Sequence, residues 1–326
     1  MARSVMAGDE AKSTSAKGAI ICCGEALIDM LPRPHAEDQT AYLPVAGGAV
    51  FNTAIALGRL DQPTGFVSGV STDVFGELLV STLEQSNVAT GHVVRSARPT
   101  TLAFVSFSGG DATYTFYDEG SAGRMLSPDD LPALPDDVAA LHFGAISLIP
   151  EPCGTAYETL LMRHAGQTVI SLDPNIRSNF IDNPAAHRAR ILRMAARSDM
   201  IKVSDDDLAW LAADGDPQAL IRGWLEDGTA IVTITRGSDG VTAVTPAFSV
   251  TAEAVPVTVA DTIGAGDAFN AGFLAALRTA GHLERAALRS LTSDELHAAL
   301  AYASEVAALT VAKAGADPPW AHELSG

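Results

Sequence analysis

Residues 261–272 read DTIGAGDAFNAG. Gly264, Ala265 and Gly266 bring an almost bare backbone up to a lone carboxylate, Asp267, and the chain then runs into the apolar stretch FNAGFLAAL. Two readings share one geometry. In the first, Asp267 is an acid in the first turn of a helix, where the macrodipole favours it, and the glycines make a tight approach. In the second, bare N–H groups at a helix N-terminus form an anion hole. Such a hole suits the charge that builds on a transferred phosphoryl group, and a carboxylate beside it can take a hydroxyl proton. The stretch alone does not choose between them.

Other glycine motifs are excluded. The chain has no GxxxxGK[ST], and GAGDAF carries Phe269 where GxGxxG needs its last glycine. Composition narrows the partners. Acidic residues number 39 against 21 Lys plus Arg, a net charge of −18 over 326 residues. Such a surface repels nucleic acid and anionic membranes, and no apolar run is long enough for a membrane span. With 47% hydrophobic residues the chain can bury a large core. Cys22, Cys23 and Cys153 have no metal spacing and read as buried thiols of a reducing cytoplasm. Residues 1–18 read as a flexible tail, without the apolar core of a signal peptide, and 19–326 as one domain.

Working outward from the opening stretch, short apolar runs alternate with segments of helical period. AIICCGEALIDM begins as a buried strand ending near Gly24, and AVFNTAIALGRL follows as a helix. ALHFGAI, QTVISLD, SDMIKVS and AIVTITRG are further strands, separated by CGTAYETLLMRHAG, NPAAHRARILRMAARS and SDDDLAWLAA. This rhythm predicts an α/β fold, a mostly parallel sheet covered by helices on both faces. Residues 98–118 alternate with period two about SGGD and read as a hairpin. With the extended segment 31–45 they are expected to form a small β-sheet outside the main layers.

DTIGAGDAF resembles the C-terminal signature D-T-x-G-A-G-D of the ribokinase-like (PfkB-type) carbohydrate kinases, and the resemblance runs from about residue 19 to about 317. It implies a ribokinase-like fold whose small sheet is a lid. It implies that Asp267 is the catalytic base, with Gly264, Ala265 and Gly266 as the anion hole. GGAVFN resembles the family's sugar-binding segment, giving Gly47, Gly48 and Asn52 to the substrate, and Asp29 in GEALIDM is implied to hold sugar hydroxyls. TRGSDG resembles the nucleotide-side turn, through Thr235, Gly237 and Gly240, and Ser304 falls where relatives border the adenine.

In KVSDDDLAWL, Ser204 and Asp207 fit a capping box. The resemblance also implies that Asp207 supports the water shell of a magnesium ion on ATP, a role for which relatives use a longer acid. DPNIR is similar to the D-P-N-x-R of fructokinase-type and 2-keto-3-deoxygluconate kinase-type members, and places Arg177 against the sugar or the moving phosphate. The acid kinases tend to carry a cation after the lid tyrosine. Here Tyr117 is followed by Asp118, an acid that would repel a substrate carboxylate.

The expectation is therefore ATP-dependent phosphorylation of a sugar primary hydroxyl, closest to fructokinase-type members. Magnesium is implied, and possible potassium near Asp261 is a family expectation. A homodimer through the lid would cover its edges and apolar residues such as Phe104 and Phe107. A 2-keto-3-deoxygluconate or other ketose kinase, or a sugar sensor without turnover, remain alternatives.

Overall fold

Strands made of Val, Ile, Leu and Cys with no polar alternation must be covered on both faces. Their side chains alternate between two helical layers. Ile20 and Cys22 enter one core cluster, and Ile21 and Cys23 enter the other. The computed structural model describes residues 18–35, 39–108 and 111–324, so all but Gly18 of the expected N-terminal tail, residues 1–18, and the centre of the SGGD turn lie outside the described residues.

Within them a nine-stranded sheet runs in the spatial order Ser249–Ala252, Val241–Val244, Ile231–Thr235, Met200–Ser204, Val169–Asp173, Ala140–Gly144, Ile20–Cys23, Thr64–Val67, Val88–Ala89. Only its two edge strands nearest the C-terminus, Val241–Val244 and Ser249–Ala252, pair antiparallel. The loops that follow Cys23, Gly144, Asp173, Ser204 and Thr235 therefore open on one end of the sheet, the end where ligands bind in open α/β sheets.

A separate four-stranded sheet contains Thr40–Gly47, Leu27–Pro34, Leu102–Ser108 and Asp111–Tyr117 in that order. It combines the two expected pieces, 31–45 and 98–118, but its first part starts earlier, at Leu27, and runs on to Gly47. The apolar run AIICCGEALIDM is divided at Gly24–Ala26 between the two sheets, so Leu27 to Met30 belong to the small one. Pairing of Leu27 with Gly47 sets its inner boundary.

The opening stretch forms the N-terminus of helix Ala265–Thr279. That helix lies against helix Ser293–Val311 at Gly272, where a Cβ would stand 2.9 Å from the Ala303 Cα and 3.1 Å from Val306. The helix carrying Asp267 is thus seated by a backbone contact that tolerates no side chain. Replacing Gly272 with alanine is expected to force the two helices apart, at a cost of about 1–3 kcal/mol as for other overpacked core sites. Chemical denaturation reads this directly, and an unchanged midpoint would contradict the close seating.

Candidate functional site

Gly264 caps the helix with φ at 79°, a left-handed conformation that glycine adopts without strain. It also has no room for a Cβ, which would lie 2.8 Å from the Ala316 Cβ. The first-turn amides that follow have no acceptor within a helix and sit at its positive end. Asp267, in this first turn, is 7% exposed. Asn52 Nδ2 donates to its Oδ2 at 3.0 Å, and the Thr53 hydroxyl donates to its backbone carbonyl at 3.3 Å. Both come from helix Ala49–Arg59. Burial pushes the Asp267 pKa up to about 7. Asn52 and Lys202 pull it down, while the charges of Asp173 and Glu25 add to the rise.

Three polar residues below this turn were not singled out by the sequence reasoning. Lys202, at the centre of strand Met200–Ser204, donates from Nζ to Asp173 Oδ2 at 3.0 Å. Asn270 Nδ2 donates to the same oxygen at 2.7 Å. The available signal was a lone lysine inside the apolar run DMIKVS, since lysine is almost never buried without a partner. Glu25 was also missed. Its Oε1 accepts from the amide of Ala49 at 2.8 Å, and its Oε2 from that of Ser147 at 3.3 Å. Burial pushes its carboxyl above the usual range despite these donors.

The residues expected on the sugar side adjoin one another. Asp29 faces Gly47 across the small sheet, and a Cβ at Gly47 would collide with the Asp29 carboxylate. Burial raises the Asp29 pKa to about 6. Gly48, φ 113°, begins helix Ala49–Arg59, so Asn52 lies one turn inside it. The Asn52 amide is turned to the Asp267 carboxylate, a contact beyond the expected grip on sugar. The phenol of Tyr114 is pushed up by burial and by the charges of Asp29 and Asp261, and is pulled down by Arg177. Sugar side, arginine and expected cation loop are thereby within electrostatic reach of one hydroxyl.

A cavity of about 790 Å³ opens beside them, with Tyr114 and Phe116 on the small sheet opposite Ile146 and Phe180. Arg177 itself is exposed, its Nη1 donating to the Ile176 carbonyl at 3.2 Å. Asp118 lines the cavity but is ion-paired with Arg124 at 3.0 Å. Part of its charge is thus answered by an arginine of the same chain, a partner the sequence reasoning did not foresee.

Of the residues expected on the nucleotide side, Thr235 ends its strand opposite Ser204, and its hydroxyl donates to the Val203 carbonyl at 3.5 Å. Gly237 and Gly240 have φ of 54° and 85°, and a Cβ at Gly240 would collide with the Ala252 carbonyl. Ser304 is buried next to Ala303 in the helix seated against Gly272. Asp261 binds the amides of Ile263 at 3.1 Å and Gly315 at 3.0 Å. The capping box at Asp207 is present. Its Oδ2 accepts from the Ser204 amide and hydroxyl at 2.9 and 2.7 Å, and its Oδ1 from the Ile176 amide at 2.7 Å. Among the described residues no group of three His, Cys, Asp or Glu side chains could hold a metal ion, and no helix is long and apolar enough to cross a membrane.

Residues 17–323 match the family described as pfkB family carbohydrate kinase. The chain belongs to this family. The kinase is 53% identical over 277 residues to a fructokinase of Rhizobium leguminosarum bv. trifolii, covering 85% of each chain. It is 33% identical to the probable chloroplastic fructokinase-6 of Arabidopsis thaliana, over 94% of this chain and 80% of that one. The fructokinase of Xylella fastidiosa, solved with bound ATP, superposes with a TM-score of 0.85 at 28% identity, covering 92% of this kinase and 94% of that chain. The kinase is accordingly a phosphotransferase acting on a sugar hydroxyl, and its ribokinase-like fold is as expected.

The raised pKa of Asp267 also affects stability. The folded state holds this proton more tightly than the unfolded chain. The stabilisation is therefore full below the ordinary value of 3.8 and is lost as pH rises through about 7. Asp267→Asn removes the buried charge. Urea denaturation should show the variant gaining on the parent protein at pH of about 8, with the gap narrowing toward pH of about 5. A gap independent of pH would contradict this.

Proposed function

We propose that this kinase transfers the γ-phosphoryl group of ATP to a primary hydroxyl of fructose, with Asp267 as the base. The observation that carries the reading is the buried Asp267 carboxylate at a bare helix N-terminus, aimed by Asn52. Identity of 53% to a fructokinase supports fructose as the acceptor.

In the reaction the hydroxyl proton passes to the Asp267 carboxylate. The freed oxygen forms its bond to the γ-phosphorus while the bond to the bridging oxygen breaks, and that electron pair leaves with ADP. Asp267 later returns the proton to solvent. Amides of Gly264, Ala265 and Gly266 donate to the charge building on the equatorial oxygens. Exposed Arg177 swings onto the sugar or the moving phosphate.

Asp29, Gly47, Gly48 and Asn52 form the sugar side. Thr235, Gly237, Gly240 and Ser304 form the nucleotide side. Magnesium, when bound, neutralises phosphate charge. It would be held mainly by the nucleotide and water, since a carboxylate has about four acceptor positions and Asp207 uses most of its own on the amides and hydroxyl around it. The Asp261 loop suits a monovalent cation through its backbone oxygens. Residues 19–326 work as one catalytic domain, with the small sheet as lid, and three buried free thiols suit the cytoplasm.

The outer face of the lid carries Tyr42, Phe104 and Tyr117 in edge-on contact, with centroids 4.9 and 5.5 Å apart. Tyr42 is 43% and Tyr117 62% exposed. Exposed aromatics beside open strand edges suit a second copy of the chain. The expected side chain of Phe107 lies outside what the structure describes.

Two measurements test the reading. Asp267→Asn should bind fructose with unchanged heat-detected affinity while ADP release falls about 100-fold or more, and turnover of the parent protein should decline below pH of about 7 as the base protonates. Normal turnover by the variant would remove Asp267 from this role, and no ADP release with any sugar would sink the kinase reading. Separately, sedimentation should find a dimer that Tyr117→Glu splits; a monomeric parent protein would refute the lid interface.

A further inference from the structure

The bareness of the opening stretch has a second occupant. A Cβ on Gly266 would lie 3.0 Å from Lys202 Nζ, so the missing side chain makes room for an ammonium directly beneath the first turn. Lys202 reaches this point from the middle of the main sheet, with its side chain 11% exposed. Burial works against its charge. The Asp173 carboxylate beside it more than reverses this, aided by Asp207 and Asp267, and raises its pKa above the ordinary lysine value. The cation is thus permanent at any working pH.

A simple ion pair does not account for this placement. Asp173 has other donors. Asn270 binds the oxygen that Lys202 binds, at 2.7 Å, and the amide of Asn175 binds the other at 3.1 Å. An ammonium carries several N–H donors, and among the described residues Asp173 takes one of them. The rest lie at the floor of the amide hole. A lysine is a point charge well suited to phosphate oxygens, and this chain has no P-loop to supply one.

We propose that Lys202 is a catalytic residue that donates to an equatorial oxygen of the transferring phosphoryl group, from below the Gly264–Gly266 amides. This rests on the kinase reading above. Lys202 gives up no proton. It stabilises charge that exists only as the group moves, so its effect falls on kcat and not on sugar affinity.

The test is a cycle of Lys202→Met, Asp173→Asn and the double variant, assayed for ADP release with fructose. Lys202→Met should lower kcat about 100-fold or more, the scale of losing one oxyanion donor, with the KM for fructose within about threefold. The double variant leaves no charge of the pair unpaired, and melting curves check that each variant folds. The same loss should appear when the double variant is compared with Asp173→Asn alone. If the loss vanishes in that background, Lys202 serves only as the counter-ion of Asp173 and the proposal is overturned. A Lys202→Met enzyme with normal kcat overturns it too. Should turnover fall below detection in both backgrounds, affinity for ADP with aluminium fluoride and fructose makes the same comparison, with ADP alone as the control. An inactive parent protein would instead strike at the kinase reading.

Discussion

The structure turns on one costly placement, a carboxylate buried at the amino end of a helix. Burying an ionisable group without compensation disfavours its charged form, and Asp267 is accordingly held near neutrality. That balance needs the Asn52 amide on one side and the Lys202 ammonium below. It also needs Asp173 and Glu25 near enough to oppose them. Fully paired, Asp267 would be a weak base. Unopposed, it would stay protonated.

Each supporting group is fixed by a different element. Asn52 comes from the helix after the Gly47–Gly48 turn, Asp173 and Lys202 from adjacent strands of the main sheet, and Asn270 from the helix that carries Asp267 itself. Polar networks of this kind are stable inside a protein only when their members are satisfied. Here Asp173 gathers donors from three separate segments, and Asp207 ties the loop after Asp173 to the start of helix Asp205–Ala212 through Ile176.

The main sheet was legible because its strands are continuously apolar and helical segments separate them. The helix start at GAGD was legible from bare backbone before a lone acid, whereas its chemistry was singled out only by the likeness of the stretch to a family signature. The division of AIICCGEALIDM was not. Apolar character continues unbroken through Ala26–Met30, and only pairing with residues distant in sequence assigns that half to the second sheet. Lys202 and Asp173 were missed for a related reason. Their roles arise from pairing across strands 29 residues apart, which no local pattern encodes. In DPNIR the residue with conspicuous chemistry is Arg177, and the structure leaves it exposed while Asp173 is buried. The ion pair of Asp118 with Arg124 was equally invisible from its neighbours.

Glu25 stands where the chain leaves the main sheet for the small one. Its two oxygens hold amides from two other segments, Ala49 and Ser147, so this junction is tied to the core side. A swing of the small sheet about it would carry Asp29 and Tyr114 along, while Asp267, Asn52 and Lys202 stayed on the rigid side. Asp29 and Tyr114 thus stand on a different sheet from the strands and helices that carry Lys202, Asn52 and Asp267. A change confined to the small sheet therefore leaves untouched the Asn52, Lys202 and Asp173 groups that set the Asp267 carboxylate.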